Sequence, residues 1–354
     1  MRKVHETRMI GGALAATLTL LILGDPASAS AETHRTLYLF NGALPSPLGG
    51  VVIGADGVLY GATFDGGPSG SGTVFSLTPP ASAGGKWTES ELAAFGSEGP
   101  VGPVSGVAIG PGGVLYGTSY AGGAQYEGTV FSITPPASSG GAWTESVVYS
   151  FLGSGALDGG QPWAGVAIGQ NGELYGTTVL GGGGDFGGDG IIYELTPPSS
   201  AGGTWTETIL SSFPNEYGFG PPLPYGGVVI GSGGVLYGVT YGAGRYGAGS
   251  VYSLTPPLTG SGAWTMETLY SFTGKGDGWA PYGGLVIDTN GVLYGTTMYG
   301  GSGTACANGC GVAFSLTPSD WTETVLITSQ AGAMEAIPRR GFRSARVECF
   351  TAPR

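Results

Sequence analysis

The chain has 354 residues, of which 73 are Gly and 24 are Pro, and charged residues make up only 10%. So little charge excludes exposed helices laced with ion pairs, and the abundance of Gly and Tyr, with much Thr, points to strands and turns. The formal net charge of −12 disfavours nucleic acid and anionic membranes as partners, because phosphate recognition runs on Lys and Arg.

In chain order, the first element is a secretory signal peptide over residues 1–31. A charged start (MRKVHETR), an apolar run (MIGGALAATLTLLILG) and small residues before Glu32 give its three-part layout, with cleavage after Ala29 or Ala31. The apolar run is short for a membrane span, which needs about 20 residues. The sequence therefore predicts a secreted, periplasmic or cell-surface protein with no stable membrane span after cleavage. THRTLYLFNG (33–42) matches WTMETLYSFTG (264–274), so residues 36–40 are expected to be an N-terminal closing strand.

A repeat follows. A Leu-Tyr pair falls at 59–60, 115–116, 174–175, 236–237 and 293–294, and a Trp-Thr pair at 87, 143, 205, 264 and 321. The two landmarks keep step, so one unit of 56 to 62 residues is used five times. In the second copy GVAIG (106–110), VLYGTSY (114–120), GTVFSITP (128–135) and WTESVVYSF (143–151) are four extended pieces separated by Gly-rich and Pro-rich breaks. Asp-Gly at 56–57 and Asn-Gly at 171–172 and 290–291 mark the first hairpin. Four antiparallel strands repeated radially make an all-β fold, a β-propeller of five four-stranded repeats. Its repeats are expected at about 49–95, 106–151, 165–213, 227–272 and 284–328, within a domain of 32–328, and six or more blades would apply if the chain is truncated. The Gly after each Leu-Tyr is expected to relieve crowding between neighbouring blades.

From 32 to 328 there are 20 Asp or Glu against Arg35, Lys86, Arg245 and Lys275, whereas 329–354 holds five Arg against two Glu. This tail breaks the repeat and is expected to be a disordered, non-repeat segment. Cys306 and Cys310, in CANGC, are expected to form a local disulfide, because an exported thiol pair oxidises and no His is near to complete a metal site. That leaves Cys349 free or paired to another molecule.

The phrase G-x-L-Y-G-T-T-x-x-G-G…G-x-V-F-S-L-T-P resembles the bacterial tandem repeat called GloVer, of the choice-of-anchor group, over residues 36–328. The resemblance implies an exported or surface repeat protein, usually with a C-terminal sorting anchor. This chain departs from that pattern, since 329–354 holds no apolar span.

Chemistry is scarce in the repeat. First strands line the channel of a propeller, and they supply only Asp288, at a turn. Glu89, Glu145, Glu207, Glu267 and Glu323 fall on outer strands, where they read as a solvated, aggregation-resisting edge. The single His of the mature chain, His34, leaves no base for a Ser-His-Asp arrangement. Asp185 and Asp189, in GGGGDFGGDG, are candidate calcium ligands, but calcium takes about six to eight oxygens, so neither a metal nor another cofactor is expected. Aromatic residues are more informative. Trp163, Tyr225 and Tyr282 each follow a Pro that recurs at 47, 103, 162, 224 and 281, whereas the first two units place Leu48 and Val104 there. Tyr126, Phe186 and Tyr246 lie in second-to-third-strand loops of the same face. Variation at a fixed slot suits a binding surface, and planar rings stack on sugars; inter-blade packing is the competing explanation. The function expected is a non-catalytic binding or cell-surface structural module. It would be a monomer with a neutral glycan or protein as ligand. The alternative is a carbohydrate-active enzyme with carboxylates at the channel mouth.

Overall fold

A computed structural model describes residues 16–19, 36–40 and 46–329, with breaks at 83, 139, 154, 156–157, 184–187, 201, 214–220, 259–261 and 304–305. The expected signal-peptide cleavage site, His34, the 329–354 tail beyond Ser329, and Cys349 lie outside the described residues.

Two strands precede the repeats, β1 (Ala16–Thr19) and β2 (Thr36–Phe40). Blade 1 is β3 (Val52–Ile53), β4 (Leu59–Thr63), β5 (Thr73–Thr78) and β6 (Thr88–Ala94). The short β7 (Pro100–Val101) leads into blade 2. That blade holds β8 (Ala108–Ile109), β9 (Leu115–Ser119), the loop strand β10 (Ala121–Gly122) that pairs with β7, then β11 (Thr129–Thr134) and β12 (Thr144–Ser150). Blade 3 is β13 (Ala167–Ile168), β14 (Leu174–Thr178), β15 (Ile191–Thr196) and β16 (Thr206–Ser212). Blade 4 is β17 (Val229–Ile230), β18 (Leu236–Thr240), β19 (Ser250–Thr255) and β20 (Thr265–Ser271). Blade 5 is β22 (Val286–Ile287), β23 (Leu293–Tyr299), β24 (Val312–Thr317) and β25 (Thr322–Thr328), with β21 (Trp279–Pro281) paired to the far end of β23. Within each blade the four strands are antiparallel neighbours in chain order. The fold is all-β, a five-bladed β-propeller. Below, a, b, c and d denote the four strands of a blade from first to last, and its leading face is the one turned to the next blade.

Turn chemistry starts each blade. Asp56 and Gly57 both take positive φ (55° and 73°), as do the Gly pairs 112–113 and 233–234, the geometry a two-residue hairpin favours. The Asn-Gly copies differ, for only Gly172 and Gly291 have positive φ. In those two turns a carboxylate takes over, since the N–H of Asn171 donates to Glu173 and that of Asn290 to Asp288.

The Gly after Leu-Tyr has a reason other than the expected crowding between blades. Gly61, Gly117, Gly176, Gly238 and Gly295 each face the aromatic residue of strand c across the ladder, namely Phe75, Phe131, Tyr193, Tyr252 and Phe314. A Cβ on Gly61 would stand 2.7 Å from the Phe75 ring, and one on Gly117 would stand 2.5 Å from the Phe131 ring. The ring lies flat over its own blade, so only Gly fits beneath it. Strand c is buried on both faces along most of its length, its interrupting Ser76, Ser132, Ser253 and Ser315 included.

Blades join through one repeated contact set. The Tyr of strand b meets the Trp at the start of the next blade's strand d: Tyr60–Trp143 (6.2 Å between centroids), Tyr116–Trp205 (5.9 Å), Tyr175–Trp264 (6.4 Å) and Tyr237–Trp321 (5.8 Å). The Phe ending strand d stacks edge-on against the next blade's strand c ring, as in Phe95–Phe131 (4.8 Å) and Phe272–Phe314 (5.1 Å). At the axis, glycines just before the first strands meet backbone to backbone, Gly106 against Gly50 and Gly226 against Gly283. β2 serves blade 1 as β6 serves blade 2, with Phe40 on Phe75 at 4.9 Å. Its strand partner is β1. Among the described residues, buried clusters join β2 to blade 1 and each blade to its successor, and none joins blade 5 to blade 1.

Candidate functional site

Each linker from strand d to the next strand a crosses under the b–c loop of the blade it leaves. Gly102 donates to Ser71 and Tyr120 to Gly102, and the sites above Gly72, Gly128, Gly190 and Gly249 are filled by Pro103, Pro162, Pro224 and Pro281. The recurring Pro is thus wedged against a positive-φ Gly, which fixes the direction of the residue after it. In blades 3, 4 and 5 that residue is Trp163, Tyr225 or Tyr282.

These three rings touch. Trp163 meets Tyr225 edge-on at 5.5 Å, and Tyr225 stacks on Tyr282 at 4.9 Å with planes 26° apart. Two further aromatics extend the strip. Tyr120 lies 5.1 Å from Trp163, and Tyr241 lies 5.5 Å from Tyr225 and 6.3 Å from Tyr282. All five are half-buried, so one edge or face of each remains open to solvent. Burial pushes the Tyr282 hydroxyl up to about 12, with Tyr225 and Tyr241 adding to it, so it stays protonated and neutral. The strip crosses blades 2 to 5 and stops at Val104 and Leu48, the aliphatic occupants of the slot. Sequence reasoning missed Tyr120 and Tyr241, although both end strand b, a position where Phe64 is also aromatic.

Tyr126 and Tyr246, also proposed from sequence, do not join the strip. Tyr126 and Tyr246 are 62% and 52% exposed, and the Arg245 guanidinium lies 5.8 Å from the Tyr246 ring. Phe186 and Asp185 lie outside the described residues, while Asp189 is buried. No group of three or more His, Cys, Asp or Glu positioned to hold a metal occurs among the described residues. Cys306 and Cys310 are joined by a disulfide with Cα atoms 5.3 Å apart.

The outer glutamates are not the uniform solvated edge expected. Glu89, Glu145, Glu207 and Glu323 share one register, opposite a strand c Leu or Ile, but Met266 fills that register in blade 4 and Glu267 faces the other way. Glu207 sits against Asp158, and Tyr149 donates to both, at 3.4 and 3.1 Å. Burial, reinforced by the Asp158 carboxyl, holds Glu207 well above the usual carboxylate range. Asp158 itself is buried and accepts the N–H groups of Leu152 (2.8 Å) and Gly159 (2.6 Å). The same arrangement recurs two blades on, where Tyr270 donates to Asp277 and burial, then Asp277, raise Glu323 to about 7. Between β2 and blade 1, Tyr38 donates to Glu89 at 2.6 Å. These carboxyl pairs lie between outer strands, away from the channel. Asp288, at the channel-side turn, accepts the N–H groups of Asn290 and Val292 and the hydroxyl of Tyr294.

The repeated joints and the repeated Leu-Tyr-Gly phrase have a counterpart in known sequences. The Gloeobacter/Verrucomicrobia repeat profile matches residues 26–187 and 138–348. The chain belongs to that family. No curated protein sequence matches this Gloeobacter/Verrucomicrobia repeat protein. Among solved structures it is similar to the periplasmic gluconolactonase of Pseudomonas aeruginosa, 14% identical, covering 88% of this chain and 80% of that one with TM-score 0.49. It is also similar to a Trypanosoma rangeli sialidase in complex with sialic acid, 12% identical, covering 91% and 54% of the two chains with TM-score 0.43. A puromycin-hydrolysing peptidase of Mycobacterium tuberculosis is 14% identical with TM-score 0.44; the match takes in 81% of this chain but only 39% of the peptidase.

Proposed function

We propose that this repeat protein is exported and acts as a non-catalytic binding module, taking a neutral glycan on the face that carries Trp163, Tyr225 and Tyr282. The observation behind this reading is the continuous strip of half-buried rings, 4.9 to 5.5 Å apart from Tyr120 to Tyr282. Aromatic faces offer apolar area to the C–H faces of pyranose rings. A strip spanning several blades fits a run of sugar residues rather than one. The acidic body favours an uncharged chain over an anionic one. Export is supported by the three-part N-terminal layout, and no helix among the described residues is long and apolar enough to cross a membrane.

Screening on a glycan array, followed by titration of intrinsic Trp fluorescence, tests the reading. Trp163→Ala and Tyr225→Ala are expected to weaken binding about tenfold each, the loss of roughly 1.4 kcal/mol of ring contact. Binding at wild-type strength by both variants would refute this site.

A further inference from the structure

The four complete joints define what a leading face receives. Ile109, Ile168 and Ile287 pack over Gly54, Gly110 and Gly231 of the blade before. Thr118 and Thr177 are fully buried, and they donate to Ala164 and Pro224 of the blade after, at 2.8 and 3.1 Å. Blade 5 presents the corresponding face, with Asp288 where Gly54, Gly110 and Gly231 stand, and no described residue covers it. Val286 is 66% exposed and Tyr294 37%, and Thr296, at the position of Thr118 and Thr177, is exposed. At the other end of the arc Ile53, the counterpart of Ile109, is 59% exposed.

Between these two ends stands β2, a d-type strand whose blade lacks its inner part. Its pairing with β1 repeats the c–d register of a complete blade. Leu18 is partnered with Tyr38 as Val130 is with Tyr149, Thr19 with Thr36 as Phe131 with Val147, and the register shift falls at the same step. β1 therefore occupies the place of a strand c.

A period of two blades points the same way. The strand d Tyr is present on β2, blade 2 and blade 4 (Tyr38, Tyr149, Tyr270), and it meets a Glu of blade 1, 3 or 5 (Glu89, Glu207, Glu323). Blades 1, 3 and 5 put Ala93, Ser211 and Ile327 in that position. An alternating ring closes without conflict only on an even number of blades, and β2 already supplies the Tyr a sixth would bring. Blade 5 has its own strand d in β25, and its last position is Ser329, where Phe95, Phe151, Phe213 and Phe272 stand in the others. The Phe that blade 1 needs comes from β2 as Phe40.

We propose that the gap between the leading face of blade 5 and β2 is a docking site for a three-stranded a–b–c unit of the same repeat, which completes a sixth blade with β2 as its strand d. The five such units among the described residues are each built into a blade of their own. The incoming unit takes the place that β1 holds before the signal peptide is removed, and lays its first-strand Ile over Val286 and Tyr294, as Ile287 lies over Val229 and Tyr237 of blade 4.

The test uses the chain without residues 1–31, and residues 106–135, the a–b–c unit of blade 2, carried on an inert soluble protein. Size-exclusion chromatography is expected to give a one-to-one complex. Hydrogen exchange is expected to show new protection over 285–297 and over 36–40. Val286→Arg and Thr296→Arg alter exposed positions and leave the five blades folded, but are expected to weaken the complex at least tenfold. No complex, or one that the Arg variants do not weaken, overturns the proposal. If the free unit aggregates, residues 96–135, which add the natural linker, are joined after Ser329 in place of 330–354. A higher unfolding midpoint that Val286→Arg abolishes then supports the proposal, and an unchanged midpoint overturns it.

Discussion

Tyr252 sits where blades 1, 2 and 5 carry Phe, and its hydroxyl is buried without a hydrogen-bond partner; Tyr193 in blade 3 is the same. A buried, unpaired hydroxyl costs free energy that the ring alone would not. Tyr252→Phe is expected to stabilise the protein by about 1 kcal/mol, read as a higher urea midpoint with an unchanged slope. Glu323 is the opposite case, a titrating group with a consequence for pH. Burial and Asp277 raise it from 4.5 to about 7 in the folded protein, so the native state holds this proton more tightly than the unfolded chain. Its contribution is fully present below about pH 4.5 and is lost as pH rises through about 7. The urea midpoint is expected to fall between pH 5 and pH 8, and Glu323→Gln to flatten that part of the fall. A midpoint just as pH-dependent in the variant would show that Glu323 is not the group responsible.

At the scale of the element, β2 shows how a strand is read correctly in type and incompletely in partner. The match of 33–42 to 264–274 identifies a strand d, because Tyr38 and Phe40 fall where Tyr270 and Phe272 do. Sequence carries no signal for what pairs with it, since β-pairing is decided by whichever edge is free. Phe40→Ala is expected to cost about 3 kcal/mol through the cavity left over Phe75, with loss of protection concentrated in β4 and β5. The five b, c and d strands were legible because Gly, Pro and Asx punctuate them and Leu-Tyr and Trp-Thr keep step. The first strands are only two residues long, so they were legible through repetition alone. The aromatic slot after Pro was visible as variation at a fixed position. Its neighbours Tyr120 and Tyr241 were hidden inside a strand pattern that seemed to need no other explanation. The outer glutamates misled because pattern alone cannot say that a neighbouring blade's Tyr and Asp will close over them.

Over the whole molecule, stability follows from nearest-neighbour joints, as in other repeat architectures. Blades 2, 3 and 4 are covered on both faces, whereas blade 5 has only its trailing face covered. Exchange of backbone amides in β22 and β23 is expected to be faster than in the equivalent strands of blades 2 to 4, by the open-state population that one missing joint allows. Equal protection across all five blades would mean that the arc unfolds as a single unit. The aromatic strip lies on blades 2 to 5, so it spans this gradient, with Tyr282 at its less stable end.

The alternation of Tyr149 and Tyr270 with Ala93 and Ser211 also bears on inheritance. Loss of two adjacent blades, 3 and 4 for instance, would bring Tyr149 against Glu323 and rejoin matching faces. Loss of blade 3 alone would set Tyr149 against Met266, replacing one of its two carboxylate acceptors with an apolar side chain at a half-buried seam. Gene rearrangements that trim or lengthen such an array should therefore survive most often when they move whole pairs, so the heritable unit is about twice the visible repeat.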